Sequence, residues 1–352
     1  LLLVGDDFFM KALVIGAGGV GRSIANIASR RKFLTSMVIA DRSLERAQLA
    51  IKRLDDDRFE AAEVNAAELE DIRELIRETQ PDVVINAVDP RFVMPIFLAC
   101  EIENTNYMDM AMSLSESHET DPFHQPGIKL GDAQFAVHEQ WERAGKLALV
   151  GMGVEPGLSN VFARYAQDYL FSEIDEVSVK DGSNLVVRNE AGEEIFAPSF
   201  SIWTTIEECL NPPLMWSDAK GFYTTMPFSE PEIFDFPEGI GSVECVNVEH
   251  EEVAMLPRTI RAKKFSFKYG LGREFISVLE TLHKLGLDRT KPTRVRSAQG
   301  PVDVSPRDVV AAVLPNPASI GPLMTGKTCA GVLVTGKDKE GRERATYLYN
   351  VV

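Results

Sequence analysis

The sequence predicts an α/β protein: a doubly wound parallel sheet in its first half and a separate α+β domain with a mixed sheet in its second. Three observations predict it. Short apolar runs alternate with helix-periodic stretches from residue 12 to residue 150. The first run ends in a glycine turn, Gly16-Ala17-Gly18-Gly19-Val20-Gly21, that opens a helix. In the second half strands follow one another in sequence, the mark of a separate α+β layer.

The elements follow in order. Ala12 to Ile15 has the length and composition of a buried parallel strand. The turn after it fits G-x-G-x-x-G, and a helix runs to about Arg31. Gly16 permits a tight strand-to-helix turn, Gly18 lets backbone approach a pyrophosphate, and Gly21 lets the helix pack on the strand. Gly19 and Val20 complete the turn, whose unpaired N–H groups face a diphosphate at the positive end of the helix. A second strand, Met37 to Ala40, ends at Asp41, twenty residues beyond Gly21, where a carboxylate accepts hydrogen bonds from an adenosine ribose. That set of features specifies a Rossmann dinucleotide site; a glycine turn used only for packing, or for another nucleotide, is the alternative. Asp41 favours NAD, since a carboxylate repels a 2′-phosphate, whereas Arg42 beside it would grip that phosphate and leave NADP open.

Ser43 N-caps a helix from Leu44 to Leu54. Strands at Phe59–Val64, 82–88 and Asn106–Asp109 alternate with helices at Leu69–Glu78, Phe92–Cys100 and Gln134–Ala144, and Leu147–Val150 is the sixth strand. Ligands of such a sheet sit at the carboxyl ends of its strands. Asn65 then lies near the adenine, Asn86-Ala87-Val88 along the pyrophosphate and nicotinamide ribose, and Tyr107 and Asp109 beside the nicotinamide. Turn-forming asparagine is the other reading of Asn65 and Asn86. Residues 113–131 form a long loop in which His118 and His124 either reach substrate or are solvated. No Cys/His/Asp group has metal-ligand spacing, so no metal centre is expected.

In the second half, strands are expected at Glu176–Lys180, Phe222–Met226, Ser242–Val248, Arg261–Tyr269, Ala330–Thr335 and Ala345–Val352, the last two joined by a polar turn. Helices are expected at Leu158–Leu170, Phe275–Leu285 and Pro306–Leu314. The domain boundary falls at 157/158, with the cofactor cleft between a dinucleotide-binding domain (10–157) and a substrate and dimerisation domain (158–352). Residues 1–9 read as a leader or extension without the features of a secretory signal, and the apolar ending suggests residues missing beyond 352.

With 352 residues and 45 % hydrophobic content, the chain is long enough for two domains with a large core. A net charge of −16 argues against nucleic acid or an anionic membrane as main partner. Four scattered cysteines without a C-x-x-C pair read as reduced thiols of a cytoplasmic protein, and no apolar stretch reaches the length of a membrane span.

The run Gly151-Met152-Gly153-Val154-Glu155-Pro156-Gly157-Leu158-Ser159-Asn160 follows the sixth strand. Together with GAGGVG, ADRS, DVVINAVDP and NYMDMA it resembles the saccharopine dehydrogenase family, in the branch of saccharopine reductase, carboxynorspermidine dehydrogenase and lysine 6-dehydrogenase. The resemblance continues through Glu207-Glu208-Cys209-Leu210-Asn211-Pro212-Pro213, Val248-Glu249-His250-Glu251-Glu252 and Ser305-Pro306-Arg307-Asp308-Val309-Val310. It implies a pyridine-nucleotide oxidoreductase of amino-acid metabolism that transfers hydride at a C–N bond of an amino-acid or polyamine-type substrate, and a homodimer. It places Met152, Gly153 and Pro156 in a substrate-facing turn. The arginine with which saccharopine reductases hold a carboxylate has no counterpart in 201–206, so the resemblance leans away from saccharopine itself.

Hydride transfer leaves the protein to orient the reactants and manage a proton. Tyr107, Asp109, Glu155 and His250 are the acid/base candidates. Glu155 opens a helix, which favours its anion and suits it to holding a substrate ammonium. His250 has acidic neighbours that favour its charged form, or is a capped strand-end residue on an acidic face. Lys263, within the basic run Arg261, Lys263, Lys264, either holds a substrate carboxylate or faces outward from a strand. Two other readings stand beside the oxidoreductase: a non-catalytic dinucleotide sensor of the same fold, and a different nucleotide enzyme such as a methyltransferase.

Overall fold

The computed structural model describes residues 9–198, 201–315 and 320–352, so residues 1–8 of the expected leader lie outside the described residues. The chain divides into two compact units, one of residues up to Ser115 and Leu130–Gly153, the other of Glu116–Lys129 and Val154–Val352. The junction lies four residues before the expected boundary at 157, and most of the expected loop at 113–131 belongs to the second unit.

The first unit runs β1 (Met10–Ile15), α1 (Gly19–Ala28), β2 (Leu34–Asp41), α2 (Leu44–Ile51), β3 (Phe59–Glu63), α3 (Leu69–Thr79), β4 (Val83–Asn86), α4 (Val93–Ile102), β5 (Asn106–Asp109), α5 (Asp132–Phe135), α6 (His138–Arg143) and β6 (Ala148–Leu149). All pairings are parallel, in the order β3-β2-β1-β4-β5-β6. Alternate residues of β1 enter two different cores: Leu13 and Ile15 pack with Ile72, Ile96 and Phe97, while Ala12 and Val14 pack with Ala25, Ile39 and Ala47. Cover on both faces is why the strand is an unbroken apolar run. The helix expected over Gln134–Ala144 is instead two short ones, and Gln134 in the first turns inward to bond Asp109 at the end of β5.

The second unit runs α7 (Leu158–Tyr165), β7 (Phe171–Ser183), β8 (Val186–Val187), α8 (Ile202–Leu210), β9 (Leu214–Ser217), β10 (Gly221–Thr224), β11 (Glu232–Phe236), β12 (Gly241–Asn247), α9 (Glu251–Met255), β13 (Lys264–Gly270), α10 (Arg273–Leu285), β14 (Thr293–Val295), β15 (Val302–Val304), α11 (Pro306–Val313), β16 (Met324–Thr325), β17 (Thr328–Asp338) and β18 (Glu343–Val351). Its main sheet has the path β10-β9-β13-β7-β17-β18, with β12 also on β13. The β13–β7 pair is parallel and the others antiparallel, so the sheet is mixed, as expected. The helix read over Leu158–Leu170 ends its α-helical part at Tyr165 and finishes in a π turn. Arg261 and Lys263 precede β13 rather than lie on it. Segment 116–129 carries a Glu116–Ile128 bridge and a Lys129–Phe222 cation–π contact at 5.3 Å.

Candidate functional site

In the first unit the glycine turn leaves the carboxyl end of β1, at the point where the strand order reverses between β2 and β4. Gly16 has φ +115°, and a Cβ there would lie 2.4 Å from the Ala87 carbonyl oxygen and 2.8 Å from Val88 Cγ1. A Cβ on Gly21 would lie 1.8 Å from the Gly16 carbonyl oxygen. Those two glycines are demanded by packing. At Gly18 and Gly19 a Cβ would meet no atom within 4 Å, so these two face open space. Gly18 N-caps α1 without a side-chain bond, and the first turn holds no acidic residue. Bare amides, a positive helix end and an open cradle fit a dinucleotide's diphosphate.

Asp41 Oδ2 accepts from the Ala17 N–H at 3.0 Å and Oδ1 from the Ser43 N–H at 3.1 Å, so this carboxylate also fastens the glycine turn. Arg42 and Arg46 are exposed beside it, Arg46 Nη2 at 3.8 Å. Asn65 Oδ1 accepts from the Ala67 N–H at 3.2 Å, the turn-forming role weighed against adenine contact. Asn86 is buried, with its Oδ1 on the Val88 N–H at 3.1 Å and its Nδ2 donating to the Tyr107 hydroxyl at 3.0 Å. Its side chain braces the strand ends from within.

Tyr107 and Asp109 lie at the carboxyl end of β5. Both are buried. Tyr107 donates to Asp109 Oδ2 at 2.9 Å, Gln134 Nε2 donates to the same oxygen at 2.8 Å, and the Gly151 N–H donates to Oδ1 at 2.7 Å. Burial, then the Asp109 charge, push the Tyr107 hydroxyl far above its ordinary range. The pair tie the carboxyl ends of β4 and β5 to the turn at 151. Met152 and Gly153 are exposed, and the Met152 N–H bonds the Asp109 carbonyl at 2.8 Å.

In the second unit a cavity of about 330 Å³ opens beside the carboxyl end of β7. Its floor is one cross-strand row: Tyr269 on β13, Asp181 on β7, Ala330 on β17 and Asn350 on β18 are register partners. Glu155, Glu208 on α8 and His250 ahead of α9 complete the lining. Three lining residues are acids, and none of those described is lysine or arginine. Glu155 Oε1 is buried without a hydrogen-bond partner. Burial, then the neighbouring Asp181 and Glu252 charges, raise the Glu155 carboxyl well above its ordinary range. This corrects the expectation that the helix start keeps Glu155 ionised: desolvation and like charge outweigh the helix end. Burial also raises Asp181 to about 6, against the His250 charge. It raises Glu208 to about 8.

His250 stacks flat on Phe267, with ring centroids 3.9 Å apart. Its Nδ1 is hydrogen-bonded to Glu252 and lies 3.3 Å from Glu251. Burial opposes its charge, but Glu252, Glu251 and Glu208 together hold its pKa well above the usual value. His250, Glu251 and Glu252 are also, among the described residues, a three-donor group of the size a metal needs, a clustering that linear spacing did not show.

The sequence candidates Glu155 and His250 thus meet in one cavity, and Pro156 is buried next to it in the chain. Lys263 does not join them. It sits ahead of the opposite end of β13, paired with Glu173 and Asp175 at 2.6 Å each, and does not line this cavity. His118 and His124 bond within their own segment, His118 to the Asp121 N–H at 3.1 Å and His124 to the Asp121 carboxylate at 2.7 Å. Sequence reasoning missed Asp181, Tyr269 and Asn350, and gave Glu208 no role. Val177, Val179 and Asp181 share a strand face by period two, so an acid ending an apolar face was the available signal.

A parallel six-stranded sheet whose glycine turn opens onto bare amides defines a dinucleotide-binding protein of the Rossmann class. The chain belongs to the saccharopine dehydrogenase family. Residues 12–149 match the saccharopine dehydrogenase NADP binding domain and residues 153–352 the saccharopine dehydrogenase C-terminal domain. Carboxynorspermidine synthase of Vibrio cholerae is 32 % identical over 351 residues, covering 97 % of this chain and 81 % of that protein. Carboxyaminopropylagmatine dehydrogenase of Synechocystis is 25 % identical over 345 residues, with the same coverage. Apo saccharopine dehydrogenase (L-Glu forming) of Saccharomyces cerevisiae shares the fold, with a TM-score of 0.63 at 12 % identity over 97 % of this chain and 85 % of that one. The chain is therefore an NAD(P)-dependent oxidoreductase acting at a carbon–nitrogen bond. Neither the sensor nor the methyltransferase reading finds support in these comparisons.

Proposed function

We propose that the second-unit cavity binds a polyamine-type amine carrying an amino-acid end, as in carboxynorspermidine, and that the enzyme interconverts its secondary amine and the corresponding imine. The observation that carries this is a cavity with three acidic residues, one oxygen of them unpartnered, and no lysine or arginine among its described lining residues. Such a lining attracts the ammonium groups of a polyamine chain. A nicotinamide cofactor held by Gly18, Gly19 and Val20 would supply hydride to an imine carbon, or accept it from an amine carbon. Glu155, its carboxyl raised well above the ordinary range by burial and by Asp181, gives its proton to the nitrogen during reduction and takes it back during oxidation. Asp181 and Glu208 hold a remote ammonium, and His250 offsets the gathered negative charge.

The cofactor seat runs over Gly18, Gly19 and Val20, with Asp41 at the ribose; Asp41 suits NAD, and Arg42 and Arg46 suit the added phosphate of NADP. A cytoplasmic homodimer belongs to the same proposal. It rests on the resemblance and on four buried, unpaired cysteines, and light scattering at the 39.0 kDa of a single chain would remove the dimer.

The test is reduction of NAD⁺ or NADP⁺ at 340 nm with carboxynorspermidine, saccharopine, lysine and simple diamines. Turnover is expected with carboxynorspermidine, with KM falling as pH rises from 6 to 8 and the cavity acids ionise. Turnover with saccharopine or lysine alone would overturn the substrate reading.

A further inference from the structure

Three runs of the second half stood out in the sequence without a shared purpose: 207–213, 248–252 and 305–310. The structure joins them through side chains. Arg307, at the start of α11, is buried. Its Nη1 pairs with Glu207 on α8, its Nε donates to the Asp288 carbonyl at 2.6 Å, and its guanidinium lies 4.7 Å from the centroid of the Trp203 ring. The other oxygen of Glu207 accepts from Asn211 Nδ2 at 3.2 Å, and the same nitrogen donates to Glu249 at 2.9 Å. The Glu249 N–H donates to the Glu208 carbonyl at 2.9 Å.

Two of the links are chain neighbours of cavity residues. Glu207 precedes Glu208, and Glu249 precedes His250. The acids of α8 and of 248–252 carry like charges that would drive the two segments apart. Arg307 bonds Glu207 through Nη1 and the Asp288 carbonyl through Nε, so two partners fix the plane of the guanidinium, which a point charge would not do. Asn211 carries that fixed geometry to Glu249.

We infer that Arg307 is a positioning residue for the amine site: through Glu207 and Asn211 it locks α8 to the 248–252 segment and so aims Glu208 and His250 into the cavity. This rests on the cavity being the substrate site, as proposed above.

Removing the arginine alone would strand a buried carboxylate and destabilise the unit. The test therefore pairs Arg307→Met with Glu207→Gln, which leaves no uncompensated charge. A second variant, Asn211→Ser, cuts the link to Glu249 and leaves the ion pair intact. Both are assayed as full chains for NAD(P)⁺ reduction by carboxynorspermidine, or by whichever amine of the panel reacts fastest. Melting temperature and NADPH affinity are followed in parallel.

The expected result is a melting temperature within a few degrees of the parent and unchanged NADPH affinity. KM for the amine rises about tenfold, kcat changes less than threefold, and the pH dependence of KM is displaced. Arg307→Lys, which keeps charge without the fork, restores only part of the KM. Variants that fold and keep both the parental KM and its pH profile overturn the inference, and if the paired variant does not fold, Asn211→Ser alone decides it. Glu208→Gln separates the two layers. If it leaves KM unmoved, the substrate reading fails and the inference with it; if it raises KM while the Arg307/Glu207 pair and Asn211→Ser do not, only the inference fails.

Discussion

Gly18→Ala separates what the glycine turn does for the fold from what it does for a ligand. Gly18 has φ −72° and ψ −160°, backbone that an L-residue can adopt. A Cβ there meets nothing within 4 Å. The variant without ligand is therefore expected to melt at or slightly above the parent, since alanine restricts the unfolded chain by about 0.4–1 kcal/mol where its backbone is unstrained. The new methyl occupies the cradle in front of the first amides of α1. Losing one amide bond to a charged phosphate costs about 1.5–3 kcal/mol, a roughly 10- to 100-fold loss of affinity. NADPH at about 100 times the parental Kd stabilises the parent by about 2.7 kcal/mol, and would stabilise the variant by about 1.4 down to about 0.4 kcal/mol. Thermal melts with and without NADPH, backed by a fluorescence titration, measure both quantities. Parental NADPH affinity, or collapse of the unliganded variant, would refute the reasoning. Gly21→Ala is the internal contrast: its Cβ would sit 1.8 Å from the Gly16 carbonyl oxygen, so it should lose stability before any ligand is added.

Glu208→Gln should alter the pH dependence of stability. Folding raises the Glu208 pKa from 4.5 to about 8, so its contribution is fully present below 4.5 and is lost as pH rises through 8. Glutamine does not titrate, and the variant should gain on the parent by up to about 1.4 kcal/mol per pH unit across that window; a constant difference in melting curves from pH 5 to 9 would count against it. Asp41→Ala should raise KM for NAD by tenfold or more while leaving NADP unaffected or improved, read from initial rates with each cofactor; equal losses for both would mean that Asp41 serves only to fasten the turn. Tyr107→Phe removes the donor to Asp109 and the acceptor for Asn86, and should lower stability by about 1–3 kcal/mol in urea titration. A Tyr107→Phe chain of parental stability that had lost turnover would return Tyr107 to the chemistry.

Local pattern carried most of the first unit. Continuous apolar strands, glycine spacing and Ser43, which does accept from the Arg46 N–H at 3.3 Å, are all signals within a few residues. The polar residues at the strand ends were harder. Asn86, Tyr107 and Asp109 stand where a ligand would, yet whether their side chains turn outward or into one another depends on Gln134 and Gly151, which are distant in sequence. The second unit was legible in its longer strands and opaque at β9, β11, α8 and α9. These are short or only part-apolar, and their place is set by the sheet they join. Asp181 escaped because the cavity floor is a cross-strand register spanning residues 181 to 350, and register is invisible to a window. Lys263 misled for the converse reason: a basic run looks like an anion site until Glu173 and Asp175 are seen beside it.

Segment 116–129 counts with the second unit although the first unit's sequence lies on both sides of it. The backbone therefore passes from one unit to the other at three peptide junctions rather than one. A fusion joining residues 154–352 to a foreign nucleotide-binding fold at a single seam would leave behind the stretch that carries Lys129 to Phe222. Exchanging the second unit whole therefore means exchanging two stretches of chain, 116–129 and 154–352.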